Sequence, residues 1–308
     1  MGVIDESQVF EFVVKKGNGV KGLTDSGLTS VPPRYVHPLE ERIDRKKTID
    51  ASPFLGPPIN LAGLEGENNG AIANALCKAA TKLGFFQVVN HGVSVQVMER
   101  VKHAALTREV TRMEGLLEHD IHERRRGYAV MASRMPVHAA LDYLKGANKM
   151  IYGIMGSLLR GLDVEVEDSA LSLHTEAKAV NMNFYPPCPN PELTVGVGRH
   201  SDLAALTILL QDDIGGLYVK VEENGWIEIP PIEGALVINV GDTLEILSNG
   251  RHKSAEHRVI ASSTQARVSV PIFVSPRPQT MIGPLSGLPE KDGKTVYKHL
   301  LFFWRVHG

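Results

Sequence analysis

Cysteine is scarce in this chain: Cys77 and Cys188 are the only two in 308 residues. One pair cannot staple a fold of this size, so a disulfide scaffold is excluded. Cys77 falls in an apolar helical pattern and reads as a small buried hydrophobe. Cys188 sits in Pro186-Pro187-Cys188-Pro189 and reads as part of a turn. A reducing compartment fits this usage, and the cytoplasm is the expected location. A surplus of either charge is missing too: 33 Lys and Arg face 35 Asp and Glu, for a net charge of −2. That balance gives no reason to expect a nucleic acid or an anionic membrane as partner. No apolar run is long enough to span a bilayer. The segment Met1–Glu6 lacks a basic stretch followed by an apolar one, so it does not read as a signal peptide, and the context of Gly2 does not support myristoylation. Internal repeats and low-complexity tracts are absent.

What is present is a chain with 43% apolar residues, enough for one large domain or two small ones. Val9–Lys16 reads as a short helix and Gly17–Leu23 as a loop. Pro57–Leu61 reads as a first short strand. Gly70–Leu83 has helical spacing, with Ile72, Leu76, Ala79, Ala80 and Leu83 on one face and Gly84 as its stop. Phe85–Val89 is a dense strand closed by Asn90-His91-Gly92, where His91 reads as a turn-former ahead of a ligand. Residues 94–160 are mostly helical in pattern, interrupted by the charged run His119–Arg126, which reads as a solvated face, and by Met131–Pro136. From Ala179 the chain switches to short strands at even spacing: 180–185, 206–211, 217–221, 226–229, 235–240, 255–260 and 267–274. Pairs such as Gly215-Gly216 and Asn249-Gly250 supply the turns. The expected fold is mainly β with N-terminal helices, around a double-stranded jelly roll. The expected partition is 1–178 as a largely helical region packed on the core, 179–302 as the roll, and 303–308 as a tail.

Five residues of the strand-rich half form one ordered set: His200, Asp202, His257, Arg267 and Ser269. Two imidazoles and a carboxylate are the facial triad that holds non-haem Fe(II) and leaves three positions open. A downstream Arg and hydroxyl could grip a dicarboxylic acid filling two of those positions, with the third left for O₂. The combination points to oxidation of an organic substrate driven by decarboxylation of 2-oxoglutarate. Side chains at i and i+2 of a strand share a face, so His200 and Asp202 can reach one metal while Ser201 points away. Arg267 and Ser269 repeat that spacing, and the register continues to Pro271 and Phe273, which makes Phe273 a candidate for the substrate wall. Each piece alone is weak, and the bland alternative is a β-sandwich with surface histidines.

With those residues in hand, the chain resembles the plant 2-oxoglutarate- and Fe(II)-dependent dioxygenases. The matching motifs are Leu83–Gly92, Asn181–Pro186, Gly198–Asp202, Ile238–Asp242, Glu256–Val259 and Arg267–Pro271. Lys16–Leu23 and Pro38–Ile43 narrow the likeness to the branch that makes and decorates coumarins, within phenylpropanoid metabolism. The resemblance implies that His200, Asp202 and His257 hold Fe(II), that Arg267 and Ser269 bind the far carboxylate of 2-oxoglutarate, and that Tyr185 and Asn183 contact the same cosubstrate. It implies an aromatic small-molecule substrate, O₂ as oxidant, ascorbate as reductant, succinate and CO₂ as products, and a monomer. Scopoletin 8-hydroxylation is the first expectation, and ortho-hydroxylation of feruloyl- or p-coumaroyl-CoA the alternative.

Three places depart from that pattern. Asn60 stands where an Asp usually follows the P-x-I pair. The stretch from Val93 to Val180 is shorter than the resemblance implies, offering Ala140-Leu141-Asp142-Tyr143-Leu144 where the family carries a W-K-D-Y-like strand. The C-terminal Phe303–Gly308 replaces a helix that would help cover the pocket. Losing a strand would expose a sheet edge, so a catalytically weak or inactive member that still binds metal is a further alternative. A metal-binding protein without catalysis is disfavoured, because storage needs no dicarboxylate clamp.

Overall fold

The computed structural model describes residues 8, 9, 11–16, 18–42, 48–64, 66, 69–106, 130, 131, 137–221 and 225–302. The charged run 119–126, residues 132–136 and the tail 303–308 lie outside the described residues. In chain order the elements are α1 (Gly19–Asp25), β1 (Ile59–Asn60), α2 (Gly70–Lys82), β2 (Phe85–Val89), α3 (Val95–Leu106), β3 (Val130–Met131), α4 (Val137–Arg160), α5 (Asp168–His174), β4 (Ala177–Val180), β5 (Asn183–Tyr185), β6 (Val197–His200), β7 (Leu206–Gln211), β8 (Leu217–Val221), β9 (Gly225–Glu228), β10 (Leu236–Val240), α6 (Asp242–Leu247), β11 (His257–Val259), β12 (Arg267–Ser275), β13 (Met281–Ile282), α7 (Leu288–Asp292) and β14 (Leu300–Leu301). A large eight-stranded sheet runs β1-β2-β10-β7-β12-β5-β3, with β4 also paired to β12. A four-stranded sheet, β6-β11-β8-β9, forms the second wall of the roll, and β13 pairs with β14.

The strand sequences explain why the roll is two-faced. Along β7, β10 and β12, residues Leu206, Ile208, Leu210, Leu236, Ile238, Val240, Val268, Val270, Ile272 and Val274 join one core cluster with the helices. The alternate positions Thr207, Gln211, Asn239, Arg267 and Ser269 are polar and also buried. Period-2 alternation turns those to the opposite face of the sheet. Inside the roll, Leu83, Phe85, Tyr185, Val219, Ile227, Val237 and Val259 form a second cluster. Helix α4 covers the outer face through Tyr143, Ala147, Ile151, Ile154 and Leu158, all fully buried. Burying each of Ile151, Ile154 and Leu158 contributes about 1.5–3 kcal/mol.

Several expectations change in detail. Residues 19–25 form a helix instead of a loop, because Val20 and Leu23 bury one face and the Asn18 amide anchors the start on the Phe12 carbonyl. The expected strand 180–185 is two strands, β4 and β5, broken at residues 181 and 182. The break lies beside Pro271, whose carbonyl accepts from the Asn181 N–H at 3.0 Å. Proline has no N–H to return, so the ladder is interrupted there. The N-terminal stretch, expected to pack on the core, also contributes β1, β2 and β3 to the large sheet. Its far end is the two-residue β3, paired with β5 through Val130↔Phe184. His91 locks the turn after β2: its Nδ1 accepts from the Val93 N–H at 3.1 Å and its Nε2 donates to the Gly234 carbonyl at 3.0 Å. At Asn60 the amide oxygen accepts from Ala62 N–H and the Asn90 amide, at 2.9 and 3.0 Å, which keeps an acceptor at that position.

Gly84 is required on two counts. Its φ is +75°, and an added Cβ would lie 1.8 Å from the Lys253 carbonyl oxygen. Gly84→Ala must therefore shift backbone as well as strain φ, and we expect a loss of about 3 kcal/mol or more, seen as a lowered midpoint in thermal unfolding. A second expectation concerns acid. Burial pushes the His174 imidazole down to about 4, and its Nδ1 has no hydrogen-bond partner. The unfolded chain then binds a proton that the folded chain refuses, so stability present above pH 6.5 is lost as pH falls towards 4. His174→Gln should flatten the stability–pH profile in that window in denaturant titrations.

Candidate metal centre

His200 is the last residue of β6, and Asp202 lies two residues on, just past the strand end. His257 opens β11 and is the direct cross-strand partner of His200. Their rings stand 4.2 Å apart between centroids. One oxygen of Asp202, Oδ1, lies 3.6 Å from His200 Nε2 and 3.7 Å from His257 Nε2. All three ligand atoms fall within 4.8 Å of one another. Metal–ligand bonds of about 2 Å place neighbouring ligand atoms about 3–4 Å apart, so the three residues fit one ion.

The surroundings fix which atoms face the ion. The Asp202 Oδ2 accepts from Thr207 Oγ1 at 2.5 Å and from Asn239 Nδ2 at 2.7 Å, leaving Oδ1 to the histidines. Backbone carbonyls can only accept, so Gly198 O at 2.8 Å and Ala255 O at 3.3 Å draw the Nδ1–H of His200 and His257, and each Nε2 offers a lone pair. Burial holds His257 below the ordinary imidazole range, partly opposed by the Asp202 charge, which favours the neutral ring that a metal needs. The Phe85 ring packs against His257 at 5.2 Å. Asp242 supports the loop: its N–H donates to the Asp202 carbonyl at 2.7 Å, while its carboxylate accepts from Ser201 and Ser254 at 3.1 and 2.6 Å. Ser201 thus points away from the centre, towards α6. Thr207 was not singled out by sequence, although a lone Thr at an inward position of an otherwise apolar strand is the signal that marks it. Asn239, which the sequence offered only as part of the Ile238–Asp242 motif, is a direct partner of Asp202.

Arg267 is fully buried. Its Nε donates to the Gly215 carbonyl at 2.6 Å, Nη1 to Ser269 Oγ at 3.3 Å and Nη2 to Gln211 Oε1 at 3.3 Å, and its guanidinium lies 4.9 Å from the centre of the Tyr185 ring. Every one of these partners is neutral. Asp212, the carboxylate that feels the Arg267 charge, is held instead by the backbone N–H groups of Val268 and Ile214. Among the described residues no carboxylate forms an ion pair with Arg267. A buried cation without a counter-charge is costly, and an anion beside it removes that cost. The dicarboxylate expected here fits that requirement. Asn183 Nδ2 reaches Ser269 Oγ at 3.5 Å from the paired strand β5. Phe273 is half-buried and sits directly across from Thr207, the residue that holds Asp202.

Known proteins resemble this chain over nearly its whole length. Residues 176–276 match the 2OG-Fe(II) oxygenase superfamily, and residues 57–109 match the N-terminal region described as non-haem dioxygenase in morphine synthesis. The chain is 42% identical to scopoletin 8-hydroxylase of Arabidopsis thaliana, over 97% of this chain and 92% of the relative. It is 44% identical to a feruloyl CoA ortho-hydroxylase of Ipomoea batatas, over 96% of this chain and 91% of the relative. Both alignments run over 329 positions, more than the 308 residues present, so this chain has gaps against both relatives. Among solved structures, JOX2 in complex with 2OG, Fe and JA superposes with a TM-score of 0.72 at 28% identity, covering 92% of this chain and 90% of that one. The dioxygenase for auxin oxidation in rice shares the fold, with a TM-score of 0.62 at 22% identity, covering 80% of this chain and 91% of that one. The chain belongs to the 2OG-Fe(II) oxygenase superfamily, and it is a dioxygenase that uses Fe(II), 2-oxoglutarate and O₂.

Proposed function

We propose that this dioxygenase hydroxylates an aromatic ring of the coumarin and phenylpropanoid class, with scopoletin 8-hydroxylation as the first reading. His200, Asp202 and His257 would hold Fe(II), and Arg267 and Ser269 the far carboxylate of 2-oxoglutarate, with Tyr185 and Asn183 beside them. The observation that carries the cosubstrate assignment is the buried Arg267 with only neutral partners. The substrate class rests on the relatives named for scopoletin and for feruloyl CoA, both above 40% identity over nearly the whole chain. Ortho-hydroxylation of feruloyl- or p-coumaroyl-CoA is therefore the second reading. The shortened middle segment keeps a third in view, a member that binds metal but turns over weakly.

Bound iron and 2-oxoglutarate supply the oxidising chemistry, in which decarboxylation to succinate and CO₂ is coupled to hydroxylation of the substrate. The protein's own residues do the rest. Thr207 and Asn239 hold one Asp202 oxygen back so that the other meets the ion. Arg267 presents parallel donors that suit a carboxylate and so orient the cosubstrate from its far end. Phe273 supplies an apolar surface opposite Thr207 against which an aromatic ring could lie, and Phe85 shields His257 from water. Ascorbate would keep the iron reduced. The two free cysteines suit a reducing compartment such as the cytoplasm, and among the described residues no helix is long and apolar enough to cross a membrane. Action as a monomer completes the proposal.

Two outcomes are expected. In anaerobic Co(II) titrations, His200→Ala and His257→Ala should abolish binding at the centre, while Thr207→Val should weaken it about 10- to 100-fold with the fold retained. In turnover assays, scopoletin should stimulate succinate release in equal amount to hydroxylated product. Stimulation by feruloyl-CoA in its place would move the assignment to the second reading. Succinate release that ignores both, from a chain that binds metal, would favour the third.

A further inference from the structure

Beside Arg267 lies a buried donor that the cosubstrate assignment leaves unused. Gln211 closes β7 and is the direct cross-strand partner of Ser269 on β12. Its side chain is 9% exposed, and its Nε2 is buried with no hydrogen-bond partner. The polarity of this amide is not free to choose. A guanidinium has only donors, so Arg267 Nη2, at 3.3 Å, requires the carbonyl end of Gln211 to face it. The NH₂ end is then turned to the remaining side of the amide. Buried amide donors are normally satisfied, and one that is not marks a place where an acceptor belongs.

The neighbouring hydroxyl is arranged in the same sense. Ser269 Oγ receives Arg267 Nη1 at 3.3 Å and Asn183 Nδ2 at 3.5 Å. With both lone pairs engaged, its own proton is left to be donated. Arg267, Ser269 and Gln211 therefore bring donors of three kinds to one face of the large sheet, where Ser269 and Gln211 stand opposite each other. A carboxylate, with two oxygens and about four acceptor sites, is the group that could use all of them.

We infer that Gln211 is a third anchor for the far carboxylate of 2-oxoglutarate, donating through Nε2 alongside Arg267 and Ser269. This rests on the cosubstrate assignment made above and extends it. Gln211 acts in two ways at once: its oxygen holds the guanidinium in place, and its nitrogen contacts the ligand. A 2-oxo acid that lacks the far carboxylate should be indifferent to it.

The test is anaerobic titration of the Fe(II)-loaded protein with 2-oxoglutarate and, separately, with 2-oxovalerate. The latter has the same chelating end and no second carboxylate. Binding is read from the visible charge-transfer band, and circular dichroism and thermal unfolding check the fold of each variant. Gln211→Met keeps the length but loses the amide, and should weaken 2-oxoglutarate about tenfold or more while leaving 2-oxovalerate unchanged. Gln211→Glu should weaken it further, because the new carboxylate would occupy Arg267 and repel the ligand. Should Gln211→Met fail to fold, Gln211→Asn carries the same expectation, since its shortened amide cannot reach. Unchanged 2-oxoglutarate affinity in these variants would overturn the inference, as would equal loss for both acids, which marks a merely structural role. A wild-type chain that binds Fe(II) but not 2-oxoglutarate would overturn the cosubstrate assignment itself. Loss of 2-oxoglutarate in Arg267→Ala but not in Gln211→Met would leave that assignment standing and remove Gln211 from it.

Discussion

The antiparallel pairing of β6 with β11 is the constraint on which the rest of the centre depends. It makes His200 and His257 direct cross-strand partners, 57 positions apart in the chain, and so sets two imidazoles side by side. Asp202 then has only to turn in from the strand end. The loop is held there by the Asp242 N–H on its carbonyl, and its carboxylate is oriented by Thr207 and Asn239 from the opposite sheet. The centre is thus a bridge between two sheets: the small one supplies the imidazoles, and the large one supplies the donors that aim the carboxylate. Preorganisation of this kind costs stability elsewhere, since polar groups on the inner face of the roll replace apolar ones that would pack without partners.

Arg267 shows that cost in its plainest form. Its three nitrogens each donate to one acceptor, a carbonyl, a hydroxyl and an amide, all neutral, in a fully buried position. An apolar residue of similar volume would do better for folding alone. The aromatic face of Tyr185 offsets a part of the deficit. The surrounding β7–β12 pairing, apolar on its outer face through Leu206, Ile208, Leu210, Val268, Val270, Ile272 and Val274, supplies the rigidity that keeps the guanidinium in place.

Much of this was legible in the sequence, for a definite reason. Strands β7 and β8 fall on the residues that even spacing and turn pairs indicated, because each is a short apolar run and Gly215-Gly216 sits between them. His200, Asp202 and His257 come together as the ligand chemistry required. What the sequence hid were relations across long separations. Nothing local to Thr207, Gln211 or Asn239 says that they meet Asp202 or Arg267, since those contacts follow from sheet order and register. Helix α6 was also hidden, because Asp242–Leu247 is a single short run whose start is fixed by hydrogen bonds to Asp202, Ala204 and Ala205, not by a helical period of its own. The split of the expected 180–185 strand came from a proline some ninety positions downstream.

That proline has an effect on folding fidelity. Sliding β12 by one residue against its neighbours would turn Arg267 and Ser269 outward, and the burial pattern alone forbids it. A slide by two keeps every side chain on its proper face, so patterning offers no defence against it. Pro271 distinguishes the two alignments: in the native one its missing N–H falls opposite residues 181 and 182, between β4 and β5, and a slide by two would carry that missing donor onto a residue that is now paired. The one residue of β12 that cannot donate therefore acts as an index mark, and it protects the alignment in which Arg267 faces Tyr185 and Ser269 faces Asn183 and Gln211.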